Sequence, residues 1–63
     1  MNKQYLNSKN LIKALKSNGW KLDRINGSHH IFIRGDKTIV VPHPKKELKK
    51  GLVSAILKQA GLN

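Results

Sequence analysis

Apolar residues recur near the start of the chain at the spacing of a helix. They are Leu11, Ile12 and Leu15. Ser8 or Asn7 can cap the start of such a helix, and Gly19 suits the left-handed conformation that often ends one. The pattern therefore predicts a first helix over residues 8–19. Its polar face carries a row of basic residues at helical spacing: Lys9, Lys13 and Lys16.

Short apolar segments in the middle of the chain predict three strands. They cover residues 20–26, 29–34 and 38–41. The alternation of apolar and polar residues in the first strand slips at Ile25. Asn26-Gly27-Ser28 and Gly35-Asp36 are turn sequences, because asparagine and glycine tolerate the positive φ of tight hairpins. We therefore expect an antiparallel meander of three strands.

A second helix is predicted at the end of the chain. Pro42-His43-Pro44 forms a stiff link to the basic segment 45–50. The helix should begin near Gly51, since a glycine in its middle would cost about 1 kcal/mol relative to alanine, and Gly61 should end it. Its apolar stripe consists of Leu52, Val53, Ile56, Leu57 and Ala60. The order α-β-β-β-α predicts one α+β domain over residues 1–63, with both helices on one face of the sheet.

Length and charge restrict the functions open to this chain. A chain of 63 residues has one small core and no room for a large cleft. Thirteen Lys and Arg against three Asp and Glu give a net charge of +10, which favours a polyanionic partner. Charge alone does not separate RNA, DNA, anionic lipid and an acidic protein.

The absence of cysteine and of a long apolar run further restricts the functions open to this chain. Without cysteine there are no disulfides, no thiol catalysis and no cysteine-bound zinc. Residues 1–10 are polar, and neither a signal peptide nor a transmembrane span is predicted. A cytoplasmic protein without membrane association is the default expectation.

Three histidines are the candidates for proton transfer, because the pKa of this side chain lies near neutrality. They are His29, His30 and His43. His29 and His30 are neighbours on a predicted strand, so their side chains point to opposite faces. The pattern does not decide which face is exposed. The alternative to a catalytic role is that one histidine packs at the sheet edge while the other is solvated.

Metal-free cleavage of RNA is the chemistry that these residues favour. Asp23, Asp36 and Glu47 are too scattered for a two-metal nuclease, and no cysteine or nearby carboxylate completes a histidine ligand set. In RNA the 2′-hydroxyl can attack the adjacent phosphate, with a histidine as general base or acid and cations stabilising the charge. DNA lacks that nucleophile. We therefore expect neither a metal nor another cofactor.

A basic run precedes the second predicted helix. Its cations are Lys45, Lys46, Lys49 and Lys50. Positive charge there adds to the exposed N–H groups of a helix start, an arrangement that binds phosphate. The alternative is a solvated loop of lysines without a ligand.

Five short segments resemble the HicA toxin family, also described as YcfA-like. They are Leu-Ile-Lys-Ala-Leu at 11–15, Asn-Gly-Trp at 18–20, Gly-Ser-His-His at 27–30, Val-Val-Pro-His-Pro at 40–44 and Ile-Leu-Lys-Gln-Ala-Gly-Leu at 56–62. Each segment is weak alone, but their order and spacing together are specific. The resemblance covers nearly the whole chain.

The resemblance implies a fold like that of double-stranded RNA-binding domains and a role as the toxin of a type II toxin–antitoxin pair. The implied activity is ribosome-independent cleavage of mRNA, and the implied partner is a HicB-type antitoxin that covers the site. By position in the motif His29 would be catalytic, with His30 as the alternative, because family members vary at these two positions. His43 would be a structural feature of the family.

The resemblance also implies a substrate-binding surface around the histidines. Gly27 and Ser28 would form the turn that aims the histidine at the phosphate. The lysines expected to hold RNA are Lys45, Lys46, Lys49 and Lys50. Ile31 departs from the family, where a further histidine is common at this position.

Two other functions are compatible with a small basic domain. One is a non-catalytic module with the same fold that binds double-stranded RNA. The other is a DNA-binding regulator, although a core of three strands argues against a helix-turn-helix. Cleavage products would separate the toxin from the first alternative, and equal affinity for DNA and RNA duplexes would favour the second.

Overall fold

The computed structural model describes residues 3–62, with an element order that confirms the prediction from sequence. The elements are a 3-10 helix (Lys3–Leu6), helix α1 (Ser8–Ser17), strands β1 (Lys21–Asn26), β2 (His29–Arg34) and β3 (Lys37–Pro42), and helix α2 (Lys50–Ala60). The short 3-10 helix is an addition to the predicted order. No helix within residues 3–62 is long and apolar enough to cross a membrane.

Helix α1 is capped at both ends by the residues that flank it. The side chain of Asn7 accepts a hydrogen bond from the backbone N–H of Lys9 at 2.9 Å, so Asn7 is the cap and Ser8 lies inside the helix. At the other end Gly19 has a φ of +89°, which allows the chain to turn back. The N–H of Trp20 then donates to the carbonyl of Leu15 at 3.1 Å.

The three strands form an antiparallel sheet in the order β1-β2-β3, as predicted. Strand β1 contains an irregularity between Leu22 and Arg24, where its register against β2 shifts. As a result Leu22 lies opposite Phe32, and Ile25 lies opposite His30. Phe32 and His30 share a face of β2, so the bulge brings both apolar residues of β1 to that face. This bulge explains the slipped alternation at Ile25.

The core lies between one face of the sheet and the two helices, which confirms that both helices pack on the same side. The sheet contributes Phe32, Ile39 and Val41, all at most 2% exposed. The helices and the segments beside them contribute Leu11, Ile12, Leu15, Trp20, Leu48, Val53, Ile56, Leu57 and Ala60. On the other face Ile33 and Val40 are 36% and 44% exposed. We call these the helix side and the outer side of the sheet.

Helix α2 begins at Lys50, one residue before the expected start. It ends at Gly61, whose φ of +76° is the left-handed conformation predicted there. The basic segment before α2 is held by Leu48, which is buried and whose N–H donates to the carbonyl of Leu6. The segment therefore lies against the start of the chain and close to α1.

Candidate active site

The two neighbouring histidines of β2 have different surroundings. His29 lies opposite Pro42 of β3 and is exposed. His30 lies opposite Val41, a core residue, and is half-buried. Because paired residues of an antiparallel sheet share a face, His30 is on the helix side and His29 on the outer side. The structure thus places these two residues, which are adjacent in the sequence motif, on opposite faces of the sheet.

The ring of His30 lies beside a second histidine and a lysine. Its centroid is 4.7 Å from that of His43, with the two rings nearly perpendicular at 82°. Partial burial lowers the pKa of His30 below its usual 6.5, and positive charge on His43 and Lys16 lowers that pKa further. The Nδ1 atom of His30 is buried without a hydrogen-bond partner among the described residues. At neutral pH the ring is therefore mostly uncharged and able to accept a proton.

His43 is fixed by contacts with two distant parts of the chain. Its Nδ1 lies 2.7 Å from the hydroxyl oxygen of Ser8 in α1. Its backbone N–H donates to the carbonyl of Ser28, in the turn before β2, at 2.8 Å. Ser8 is in turn bound to Lys45, whose N–H donates to the Ser8 hydroxyl at 2.8 Å. His43 therefore links α1, the turn at Ser28 and the basic segment 45–50, and its ring lies next to His30.

The four lysines of the basic segment do not form a single cluster. Lys45 and Lys46 line a depression of about 420 Å³ together with Lys9 and His43. The other pair, Lys49 and Lys50, borders a separate depression of about 350 Å³ beside Leu6 and Glu47. All four lysines are exposed. Only the first pair shares a depression with His43, the neighbour of His30.

The turn at Gly27 and Ser28 is open to solvent. Gly27 has a φ of +61°, which favours glycine, and a Cβ at this position would meet no atom within 4 Å. Ser28 is exposed, while its carbonyl holds the backbone of His43. The turn thus leaves free space next to the histidines and helps to fix His43.

Three residues of the site were not assigned to it from the sequence. Lys9 and Lys16 belong to the predicted basic row, and their seven-residue spacing puts them on one face of a helix, which was the available signal. Ser8 was considered only as a helix cap. Its bond with His43 joins residues 35 positions apart, for which the sequence carries no signal.

Acidic side chains take no visible part in this site. Within the described residues, no three side chains of His, Cys, Asp or Glu converge in the manner of a metal site. Asp23 pairs instead with the neighbouring Arg24 on β1. The polar groups at this site are thus His43 and Lys16, which act on His30, and a serine hydroxyl and further lysines next to His43, and they can transfer protons and attract phosphate.

The fold and the site together define a small basic α+β domain that resembles a double-stranded RNA-binding domain and carries a histidine on its helix side. Residues 8–62 match the family model described as the HicA toxin of bacterial toxin–antitoxin systems. The chain belongs to this family, as the sequence motifs predicted.

The names of two similar proteins agree with the assignment of the chain to this family. They are a probable mRNA interferase HicA of Escherichia coli O157:H7 and a probable mRNA interferase toxin HicA of Escherichia coli strain K12. Each is 43% identical to this chain over 51 residues, which cover 78% of this chain and 84% of the relative. Both names agree with the endoribonuclease predicted from the sequence.

Proposed function

We propose that this protein is the toxin of a toxin–antitoxin pair and cleaves mRNA with His30 as the general acid and base. Family membership and the names of the relatives support the class of activity. The observation that carries the role of His30 is its position on the helix side, half-buried against the ring of His43 and subject to the charge of Lys16. A base that is uncharged at neutral pH can start the reaction there.

The reaction uses the 2′-hydroxyl of the RNA as its nucleophile. His30 accepts the proton of this hydroxyl while the 2′-oxygen forms a bond to the adjacent phosphorus. The bond from phosphorus to the 5′-oxygen of the next nucleotide then breaks, and protonated His30 returns the proton to that oxygen. The products are a 2′,3′-cyclic phosphate and a 5′-hydroxyl, with no group consumed. No metal ion is required for any of these steps.

Lysines on the helix side supply the positive charge for this reaction. Lys16 is close enough to His30 to lower its pKa, and it can stabilise negative charge on the reacting phosphate. Lys9, Lys45 and Lys46 border the depression next to His43 and suit the flanking phosphates. Lys49 and Lys50 border a separate depression and are assigned to phosphates farther along the RNA.

The choice between the two histidines follows from the face that each occupies. The sequence motif favours His29, with His30 as the alternative. His29 is exposed on the outer side, whereas His30 shares its side of the sheet with α1, whose Lys16 acts on it. The proposal therefore takes the alternative, His30.

Cleavage of a synthetic RNA by purified protein tests the proposal. We expect His30→Ala to lower the cleavage rate by roughly 10² to 10⁴, the usual contribution of a general acid or base, while His29→Ala remains near wild type. Products should carry 2′,3′-cyclic phosphate ends, and a chelator should leave the rate unchanged. A large loss in His29→Ala with none in His30→Ala would reverse the assignment.

The same assay separates the toxin from a non-catalytic RNA-binding module. Such a module would bind RNA with strong salt dependence and yield no product at any protein concentration. An RNA with a 2′-deoxy substitution at the cleaved nucleotide should bind but remain intact. Persistent cleavage of that RNA would exclude the 2′-hydroxyl mechanism.

A HicB-type antitoxin is the proposed protein partner. With a net charge of +10, the toxin favours a partner that presents acidic groups to the site. Addition of one equivalent of this antitoxin should stop RNA cleavage and protect the helix side, including Lys16 and Lys45, from chemical modification. Protection of the outer side alone would show that the antitoxin binds elsewhere.

A further inference from the structure

Ser8 is a buried polar residue with no role in capping its helix. It is only 1% exposed, and among residues 5–62 no other polar or charged side chain is as deeply buried. The cap of α1 is Asn7, so the Ser8 hydroxyl is not needed for that purpose. A buried hydroxyl must find hydrogen-bond partners, and this one finds them outside its own helix.

The partners of the Ser8 hydroxyl determine the position of its proton. The oxygen accepts a hydrogen bond from the N–H of Lys45 at 2.8 Å and lies 2.7 Å from Nδ1 of His43. If Ser8 donates its proton to Nδ1, both groups are satisfied. In the reverse arrangement the hydroxyl proton would have no acceptor among the described residues, which costs about 1–3 kcal/mol for a buried group. Neutral His43 therefore carries its proton on Nε2.

The bond from Ser8 also fixes the direction of the His43 ring. The backbone of His43 is held separately, by the carbonyl of Ser28 at 2.8 Å. With backbone and Nδ1 both bound, the ring cannot turn freely, and it packs edge to face with His30 at 4.7 Å. Nδ1 of His30 has no hydrogen-bond partner among the described residues, so no bond at this atom fixes its ring.

We propose that Ser8 is a positioning residue that acts through His43 to hold the ring of His30 in the orientation that exchanges a proton with RNA. This inference rests on the proposed function, in which His30 is the general acid and base. Without the Ser8 hydroxyl, Nδ1 of His43 loses its donor, and the ring can adopt the other tautomer or turn over. Proton transfer is sensitive to such a change because it requires close alignment of donor and acceptor.

Kinetics of Ser8→Ala provide the first test. We expect kcat for RNA cleavage to fall by roughly tenfold to a hundredfold, with KM changed less than about twofold, since Ser8 is only 1% exposed. Ser17→Ala is the matched control, because it makes the same change at an exposed position of the same helix. A rise in KM at constant kcat, or an equal loss in the control, would overturn the inference.

Nitrogen chemical shifts of the histidine rings provide a readout that general loosening of the fold would not produce. In wild type, His43 should show a protonated Nε2 and an unprotonated Nδ1 at a pH where it is neutral. In Ser8→Ala we expect a mixture of tautomers at His43 and displaced ring signals of His30, while Ser17→Ala matches wild type. Unchanged His43 signals in Ser8→Ala would overturn the inference even if the rate falls.

A second variant covers the case in which Ser8→Ala does not fold. His43→Asn retains a hydrogen-bonding atom near the position of Nδ1 but removes the ring that packs on His30. We expect it to fold and to show the same loss of kcat with little change in KM, and wild-type kcat would overturn the inference. Absence of RNA cleavage by the wild-type protein would instead contradict the proposed function itself, so the two failures are distinguishable.

Discussion

The helix side and the outer side of β2 carry residues of similar type but offer different chemistry. On the helix side, His30 and Arg34 are half-buried beside fully buried Phe32. On the outer side, His29 and Ile33 are exposed near the two ends of the strand. On the helix side, α1 and the basic segment 45–50 meet next to His30, and no such contact is seen at His29 among the described residues. Burial and neighbouring charge can therefore adjust the pKa of His30, whereas His29 is exposed.

The largest difference between the two sides should appear in stability. Phe32→Ala removes a side chain that is 0% exposed, and such changes cost about 3–5 kcal/mol. At roughly 0.05–0.15 kcal/mol per residue, a chain of 63 residues has about 3–9 kcal/mol of stability, so we expect this variant to lose a large part of it. Urea unfolding followed by circular dichroism measures the change.

Ile33→Ala, at the next position of the same strand, is the matched comparison. Its side chain is 36% exposed on the outer side, so we expect a loss below about 1.5 kcal/mol. Equal losses in the two variants would mean that the outer side is also covered in solution.

The two arginines of the sheet, Arg34 on the helix side and Arg24 opposite Ile31 on the outer side, offer a smaller contrast. Arg34 lies over the ring of Trp20 at 4.8 Å and donates to the carbonyl of Asn18 at 3.0 Å, which together suggest a loss of about 1–2 kcal/mol in Arg34→Ala. Arg24 makes an ion pair with its neighbour Asp23 while two thirds of its side chain is exposed. We expect Arg24→Ala to change stability by less than about 0.5 kcal/mol.

Thermal unfolding checks this second contrast. A loss of 1 kcal/mol lowers the melting temperature of a domain this small by about 4–8 °C, so the Arg34 variant should be clearly separated from the Arg24 variant. Similar melting temperatures would show that the contact of Arg34 with Trp20 adds little to stability.

Most of the fold could be predicted because its elements are specified locally. Helical spacing, turn glycines and β-branched runs each act over a few residues, and α2 was predicted to within one residue of its start. Even the slipped alternation at Ile25 was visible in the sequence. Its cause, a bulge before Arg24, became clear only from the pairing with β2.

The site was less predictable because it depends on contacts between distant segments. The sequence supplied the histidines and the lysines, yet parity along β2 could not show which histidine faces the helices. That depends on the burial of Phe32 against both helices. Likewise the pairing of Ser8 with His43, and the separation of Lys45 from Lys49, arise from how the basic segment packs against the start of α1.

RNA binding offers a third way to compare the two sides. Lys45 lies in the depression beside His43, and Lys45→Ala should reduce the slope of log affinity against log salt by about 0.7 for single-stranded RNA. Lys21 is exposed and lies opposite Ile33, on the outer side. Lys21→Ala should leave the slope unchanged. Measurements of RNA affinity at several salt concentrations give the slope for each variant. A greater effect of Lys21→Ala than of Lys45→Ala on this slope would indicate that RNA binds to the outer side.

The smallest expected effect is the pH dependence of stability. The pKa of His30 is below 6.5 in the folded protein, through partial burial and the charges of His43 and Lys16, but is ordinary in the unfolded chain. Between these two pKa values the unfolded chain binds more protons, so stability falls as the pH decreases from about 6.5 toward the folded pKa. Above 6.5 the effect is absent, because His30 is neutral in both states.

Melting temperatures of His30→Gln and His29→Gln between pH 7.5 and pH 5 test this effect. The fall in melting temperature on acidification should be smaller in His30→Gln than in wild type, because the group responsible for the extra proton uptake is gone. It should persist in His29→Gln, which leaves His30 and its neighbours intact. If instead His29→Gln reduced the pH dependence as much, the two faces of β2 would not differ in the way that the burial of His30 requires, and the choice of His30 as the catalyst would lose its physical basis.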